Sequence, residues 1–133
     1  MYTLFDIPGL TIAHDPAKNW LHVTWRGEHN EESSVAGCAM ILNKVRQTQS
    51  AAILNDSSQS FDGWGEIVRW IAQEFFHALA DNGVEAIAWV NSHNWPARVD
   101  TERVLSYTTR PLVDTFEDAE SAYSWLLTVA TVK

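Results

Sequence analysis

The sequence predicts one α/β domain built on a mixed sheet of five strands flanked by four helices, in the order ββαβαβαβα. Three observations predict it. The first half opens on two alternating segments joined by a turn; short apolar runs then trade places with longer segments of helical period. The chain of 133 residues, 46% hydrophobic and 20% charged, has the length and composition of one globular domain spanning 1–133.

Leu10–His14 and Trp20–Arg26 both alternate, and Asp15-Pro16-Ala17-Lys18-Asn19 between them reads as the turn of an antiparallel hairpin. In the second strand Leu21, Val23 and Trp25 share one face, expected to be the core, and Trp20, His22 and Thr24 share the other. Asn30 suits a helix cap, with Glu31 and Glu32 where the macrodipole favours negative charge. Val35, Cys38, Ala39, Leu42 and Val45 follow at helical spacing, which predicts a helix over about 31–48.

Ala51 to Asn55 is a short apolar run without alternation, as expected of a strand covered on both faces. Asp56 to Gly63 reads as a polar loop, and Trp64 to Asn82 as a second helix closed by Gly83. Ala86–Val90 is a second doubly covered strand; Pro96 opens a third helix reaching about Ser106. Leu112–Phe116 is the last strand, and Asp118–Val129 the last helix, with Ala122, Trp125, Leu126 and Val129 inward. Strands separated by helices imply parallel neighbours joined by right-handed crossovers.

Charge narrows the partners. Nine Lys and Arg stand against seventeen Asp and Glu, a formal net charge of −8, and no basic run relieves it. Such a surface repels phosphate backbones and anionic lipid, so no nucleic acid partner is expected. No apolar stretch approaches the roughly 20 residues of a membrane span, so no integral membrane association is expected. The sequence shows no basic and then apolar opening of a secretory signal, and its one cysteine, Cys38, has no disulfide partner. A cytoplasmic location is the expectation.

The hairpin end Trp20-Leu21-His22-Val23-Thr24-Trp25-Arg26-Gly27, the segment Ile53-Leu54-Asn55-Asp56-Ser57-Ser58, and the ending Thr115-Phe116-Glu117-Asp118 with Ala122 and Trp125-Leu126 carry a resemblance. With the element order, they resemble the STAS domains of anti-sigma-factor antagonists and the related SpoIIAA-like, or STAS/SEC14, small bacterial domains. The resemblance implies a SpoIIAA-like fold, a regulatory domain that binds partner proteins, and no enzyme activity. In the antagonists a serine after the third strand, at a loop–helix junction, is phosphorylated in a motif resembling Asp-Ser-Ser/Thr-Gly. Asp56-Ser57-Ser58 fits that motif, whereas Gln59 replaces its glycine and the helix begins later.

The residues themselves offer few chemical constellations. Asp56, Ser57, Ser58 and His93 fall at the carboxyl ends of the two apolar strands, where open α/β sheets place ligands. They are candidates for a binding or phosphorylation loop, expected together beside the start of the second helix. A Ser-His-Asp hydrolase is the enzymatic alternative, but no G-x-S-x-G pattern surrounds either serine. Capping and turn formation explain the same residues without function. The five histidines lack zinc-binding spacing, and no glycine-rich phosphate cradle occurs, so neither metal nor cofactor is expected.

The seven tryptophans point elsewhere. On the second helix Trp64, Ile67, Val68, Ile71, Phe75, Ala78 and Leu79 form one apolar face, while Trp70 and Phe76 fall on opposite flanks. With Trp95 in a loop, Trp64, Trp70 and Phe76 are the candidate interface or pocket aromatics. Two readings follow. One is a regulatory domain that binds a protein, or a second copy of itself, through the second helix and the Asp56–Asp62 loop. The other is a small module whose aromatics line a pocket for an apolar, lipid-like ligand. A deep cavity under the second helix favours the ligand; an exposed aromatic patch favours the protein.

Overall fold

A computed structural model describes residues 1–60 and 67–129, with the side chains of all these except 95–97. The strands are β1 Tyr2–Ile7, β2 Leu10–Asp15, β3 Trp20–Gly27, β4 Ala52–Ser60, β5 Ala86–Val90 and β6 Leu112–Phe116. They form one sheet in the order β1-β2-β3-β4-β5-β6, antiparallel through β3 and parallel from β3 onward. The helices are α1 Glu31–Thr48, α4 Trp95–Tyr107 and α5 Ala119–Val129. The second helix is composite, with α2 Val68–Trp70 and α3 Phe76–Asp81 on either side of a π turn, Ile71–Phe75.

Local chemistry sets the hairpin and α1. Asp15 accepts the backbone N–H of Ala17 and Lys18, and Asn19 turns the chain with φ 58°. Asn30 caps α1 by accepting the Ser33 N–H at 2.8 Å, and the Ser33 hydroxyl accepts the Asn30 N–H at 3.0 Å.

Two features depart from expectation. The sheet has six strands, because Tyr2–Ile7 pairs with β2 through the two-residue turn Pro8-Gly9. A register shift between Thr3 and Phe5 breaks the period of two, so alternation gives no sign of this strand. β4 also runs past the apolar segment to Ser60, where Arg26 and Gly27 of β3 pair with Gln59 and Ser60. Residues 56–60, whose types favour turns, are therefore sheet and not loop.

The strand order explains the layering. From β3 to β6 each parallel strand is added on the same side of the last, and right-handed crossovers then leave every connecting helix on one face. α1 and the second helix cover that face over Leu10, Leu21, Val23, Trp25, Ile53 and Ile87, and α4 joins them through Val104. α5 packs on the opposite face over Trp20, Leu54, Ala86, Ala88 and Val90. Leu54 and Ile87 are 5% and 2% exposed, so both apolar runs are covered on two faces as expected. Trp20, on the face turned away from the larger core, is buried against Tyr123 of α5.

Candidate functional site

Asp56, Ser57 and Ser58 lie together in β4, where three steps of this strand, Asp56 to Gln59, oppose two steps of β3, Thr24 to Arg26. The Asp56 carboxylate accepts the Ser58 N–H at 2.9 Å and its hydroxyl at 2.6 Å. Those bonds satisfy the backbone at the bulge. Ser57 is 4% exposed and its hydroxyl accepts the Asn55 amide at 3.3 Å; Asn55 in turn accepts the Trp25 indole N–H at 2.9 Å. The Trp25–Asn55–Ser57 chain is a buried polar strut between β3 and β4. A phosphate on Ser58 would sit against the Asp56 carboxylate, a like-charge contact.

His93 is exposed in the loop after β5. Its neighbour in charge is Glu117, whose carboxyl lies below its ordinary pKa chiefly through the Arg98 hydrogen bonds, with His93 a smaller cause. No hydrogen bond among the described residues joins His93 to Asp56, Ser57 or Ser58. The link between the two segments is structural: Ser92 donates to the Ser60 carbonyl at 2.6 Å. Open α/β sheets form ligand crevices where the strand order reverses, and here the order runs monotonically from β1 to β6.

The aromatics divide differently from expectation. Phe76 is 1% exposed and packs edge-on against Trp89, with centroids 6.0 Å apart. Its N–H bonds to the Ile71 carbonyl, five residues back, so the π turn carries Phe76 round to lie over Ile71 on the buried face. A constant 100° per residue leaves it on the flank, which is why the sequence does not place it on the buried face. Trp70 remains half-buried and stacks on Phe75, with centroids 6.1 Å apart and planes 4° apart. Trp64 lies outside the described residues. Trp95 is the first residue of α4, and its side chain is likewise outside them.

Sequence reasoning missed the outer face of α1. Ala36 and Ala39 are exposed, and Val35, Met40 and Leu42 on either side of them are half-buried and packed against the core, so the outer side of the helix carries a narrow apolar ridge centred on the two alanines. An open groove of about 300 Å³ separates this ridge from the second helix, lined by Val35, Ala39, Leu42, Trp70 and Ala78, with Glu74 at its side. On the other flank a groove of about 200 Å³ runs between α1 and β1, lined by Phe5, Ile7, Ala36 and Met40. The legible signal was Ala36, Ala39 and Met40, apolar residues at helical spacing outside the Cys38–Ile41–Val45 stripe.

Beside the first groove, sharing Cys38 and Phe75 with it, a small apolar void of about 20 Å³ reaches Asn55 and Trp89. That space holds about one water, not an acyl chain. Burial pushes the Cys38 thiol well above its ordinary range, so it packs as a small apolar residue. Among the described residues no helix is long and apolar enough to cross a membrane, and no group of three or more His, Cys, Asp or Glu is placed to hold a metal ion.

A mixed sheet opened by antiparallel strands, continued by parallel strands in sequential order and faced by four helices among the described residues, has the SpoIIAA-like fold that the sequence resemblance implies. A crystal structure carries the same fold: that of an uncharacterised protein of the DUF3478 family from Shewanella loihica PV-4. It matches this chain with a TM-score of 0.60 and 15% sequence identity, covering 92% of this chain and 97% of that one. No family model matches the chain, and no curated protein does.

Proposed function

We propose that this SpoIIAA-like domain acts by binding a protein through the outer face of α1 and the groove beside Trp70, with no chemistry of its own. The observation that carries this reading is the apolar ridge of Val35, Ala36, Ala39, Met40 and Leu42, flanked by two apolar grooves. Contiguous apolar surface on a strongly charged protein marks a contact site. A half-buried tryptophan beside a groove is the kind of anchor on which interfaces centre. The Asp-Ser-Ser segment supports the reading indirectly, because its side chains bond within the sheet and its hydroxyls are committed there.

The test is a photo-crosslinking amino acid at Ala39, with Ser124 on the exposed side of α5 as control, in the protein's own cells. Protein adducts at Ala39 and not at Ser124 are expected. Equal labelling, or none at Ala39, overturns the reading. An apolar small molecule bound in the open groove beside Trp70 is the alternative, and native mass spectrometry of the protein from the same cells detects it.

A further inference from the structure

We infer that the α1 surface takes a second copy of this chain, the two α1 helices packing antiparallel about a two-fold axis near Ala39. The inference rests on the protein-binding reading above and names its partner. The charge along α1 is self-complementary in that arrangement and in no parallel one. Glu31 and Glu32 occupy the first turn, and Lys44 and Arg46 lie toward the end. Glu32 and Arg46 each stand seven residues from Ala39 (39 − 32 and 46 − 39), roughly 10 Å along the axis at 1.5 Å per residue. An axis at Ala39 therefore sets Glu32 opposite the partner's Arg46, and Arg46 opposite the partner's Glu32. The helix dipoles oppose each other as well, which favours the same direction.

The shape agrees with the charge. Ala36, Ala39 and Asn43, all exposed, recur at the three- and four-residue spacing of a helix-packing seam. Alanines at the crossing let the axes approach toward the short end of the usual 8–10 Å range. The ridge of each copy then has a groove of the other beside it, where Met40 and Leu42 side chains find apolar walls. A closed two-fold pairing also uses the surface up, so association stops at the dimer. With a net charge of −8 on each chain, general self-contact is repelled, and association depends on this local complementarity.

Sedimentation equilibrium on the purified full chain tests it, together with Ala39→Cys, Ser124→Cys, Ala39→Arg and a charge swap. The expected result is a wild-type dimer, with Ala39→Cys oxidising to a covalent dimer faster than Ser124→Cys. Ala39 lies on the axis, and the native Cys38 is buried. Glu32→Lys or Arg46→Glu alone should raise the dissociation constant by about 2- to 10-fold, as two exposed pairs are lost by symmetry. The double variant should restore it, which a structural role for either residue would not do. Ala39→Arg should be monomeric and folded, with the melting curve of the wild type diluted to its monomer.

A wild type monomeric well above micromolar concentration overturns the inference. If a different protein is still captured at Ala39 in cells, the protein-binding reading stands without it. A dimer insensitive to both the charge swap and Ala39→Arg overturns the α1 geometry.

Discussion

The indole of Trp25 lies so close to Gly37 that a Cβ on that glycine would come within 2.5 Å of the ring. The ring has little room to yield, being tied to Asn55 through its N–H and set edge-on to His29 at 5.1 Å. Gly37 thus belongs to α1 for the sake of helix–sheet packing, against its own helix propensity. Alanine is the better helix former by about 1 kcal/mol, yet Gly37→Ala should destabilise the protein by roughly 1–3 kcal/mol through overpacking. Urea unfolding measures this. A more stable variant would show that the ring moves aside.

The strut behind that ring makes a second prediction. Asn55→Leu removes the acceptor of the Trp25 N–H and the donor to Ser57, both in the core. It should cost about 1–3 kcal/mol, the desolvation penalty of buried groups deprived of a partner. In a Trp25→Phe background, without the indole N–H, the same change should cost less. Equal costs in the two backgrounds would show that the hydrogen bond contributes nothing.

The π turn separates two aromatics that share one helix. Phe76→Ala should cost about 3–5 kcal/mol by lost transfer energy and cavity formation, since Phe76 is buried against Trp89. Trp70→Ser should cost far less in stability while weakening association. Calorimetry read beside sedimentation measures both effects. The opposite ranking would place Phe76 at the surface.

His22 sets a pH dependence. Its Nε2 is buried without a hydrogen-bond partner among the described residues, and desolvation, partly offset by the Asp15 charge, lowers its pKa from the ordinary 6.5. Below that value the unfolded chain takes up the proton more readily than the folded one. Stability from this group is therefore intact above about pH 6.5 and declines as pH falls below it. His22→Gln should flatten the slope of unfolding free energy against pH in that window, measured by urea titration at several pH values. An unchanged slope would remove His22 from the account.

The sequence by itself determined the hairpin, α1, the two doubly covered strands and the last helix, because each is written in local chemistry. Alternation, the Asn30 cap and the apolar runs need no distant partner to be read. It also placed Trp70 and Phe76 alike on the flanks of the second helix. Three things were decided only in the tertiary structure. The bulge in β1 erased the alternation of that strand, and pairing with β3 kept Asp56 to Ser60 in the sheet despite their turn-forming types. The π turn rotated Phe76 inward, since a hydrogen bond to Ile71 outweighs an assumed 100° step. The strand order did most for the candidate site. By running in one direction it placed the crossover helices on one face, with the outer side of α1 left uncovered by any other described element. Which side of a helix faces outward depends on its neighbours, and those the linear sequence does not contain.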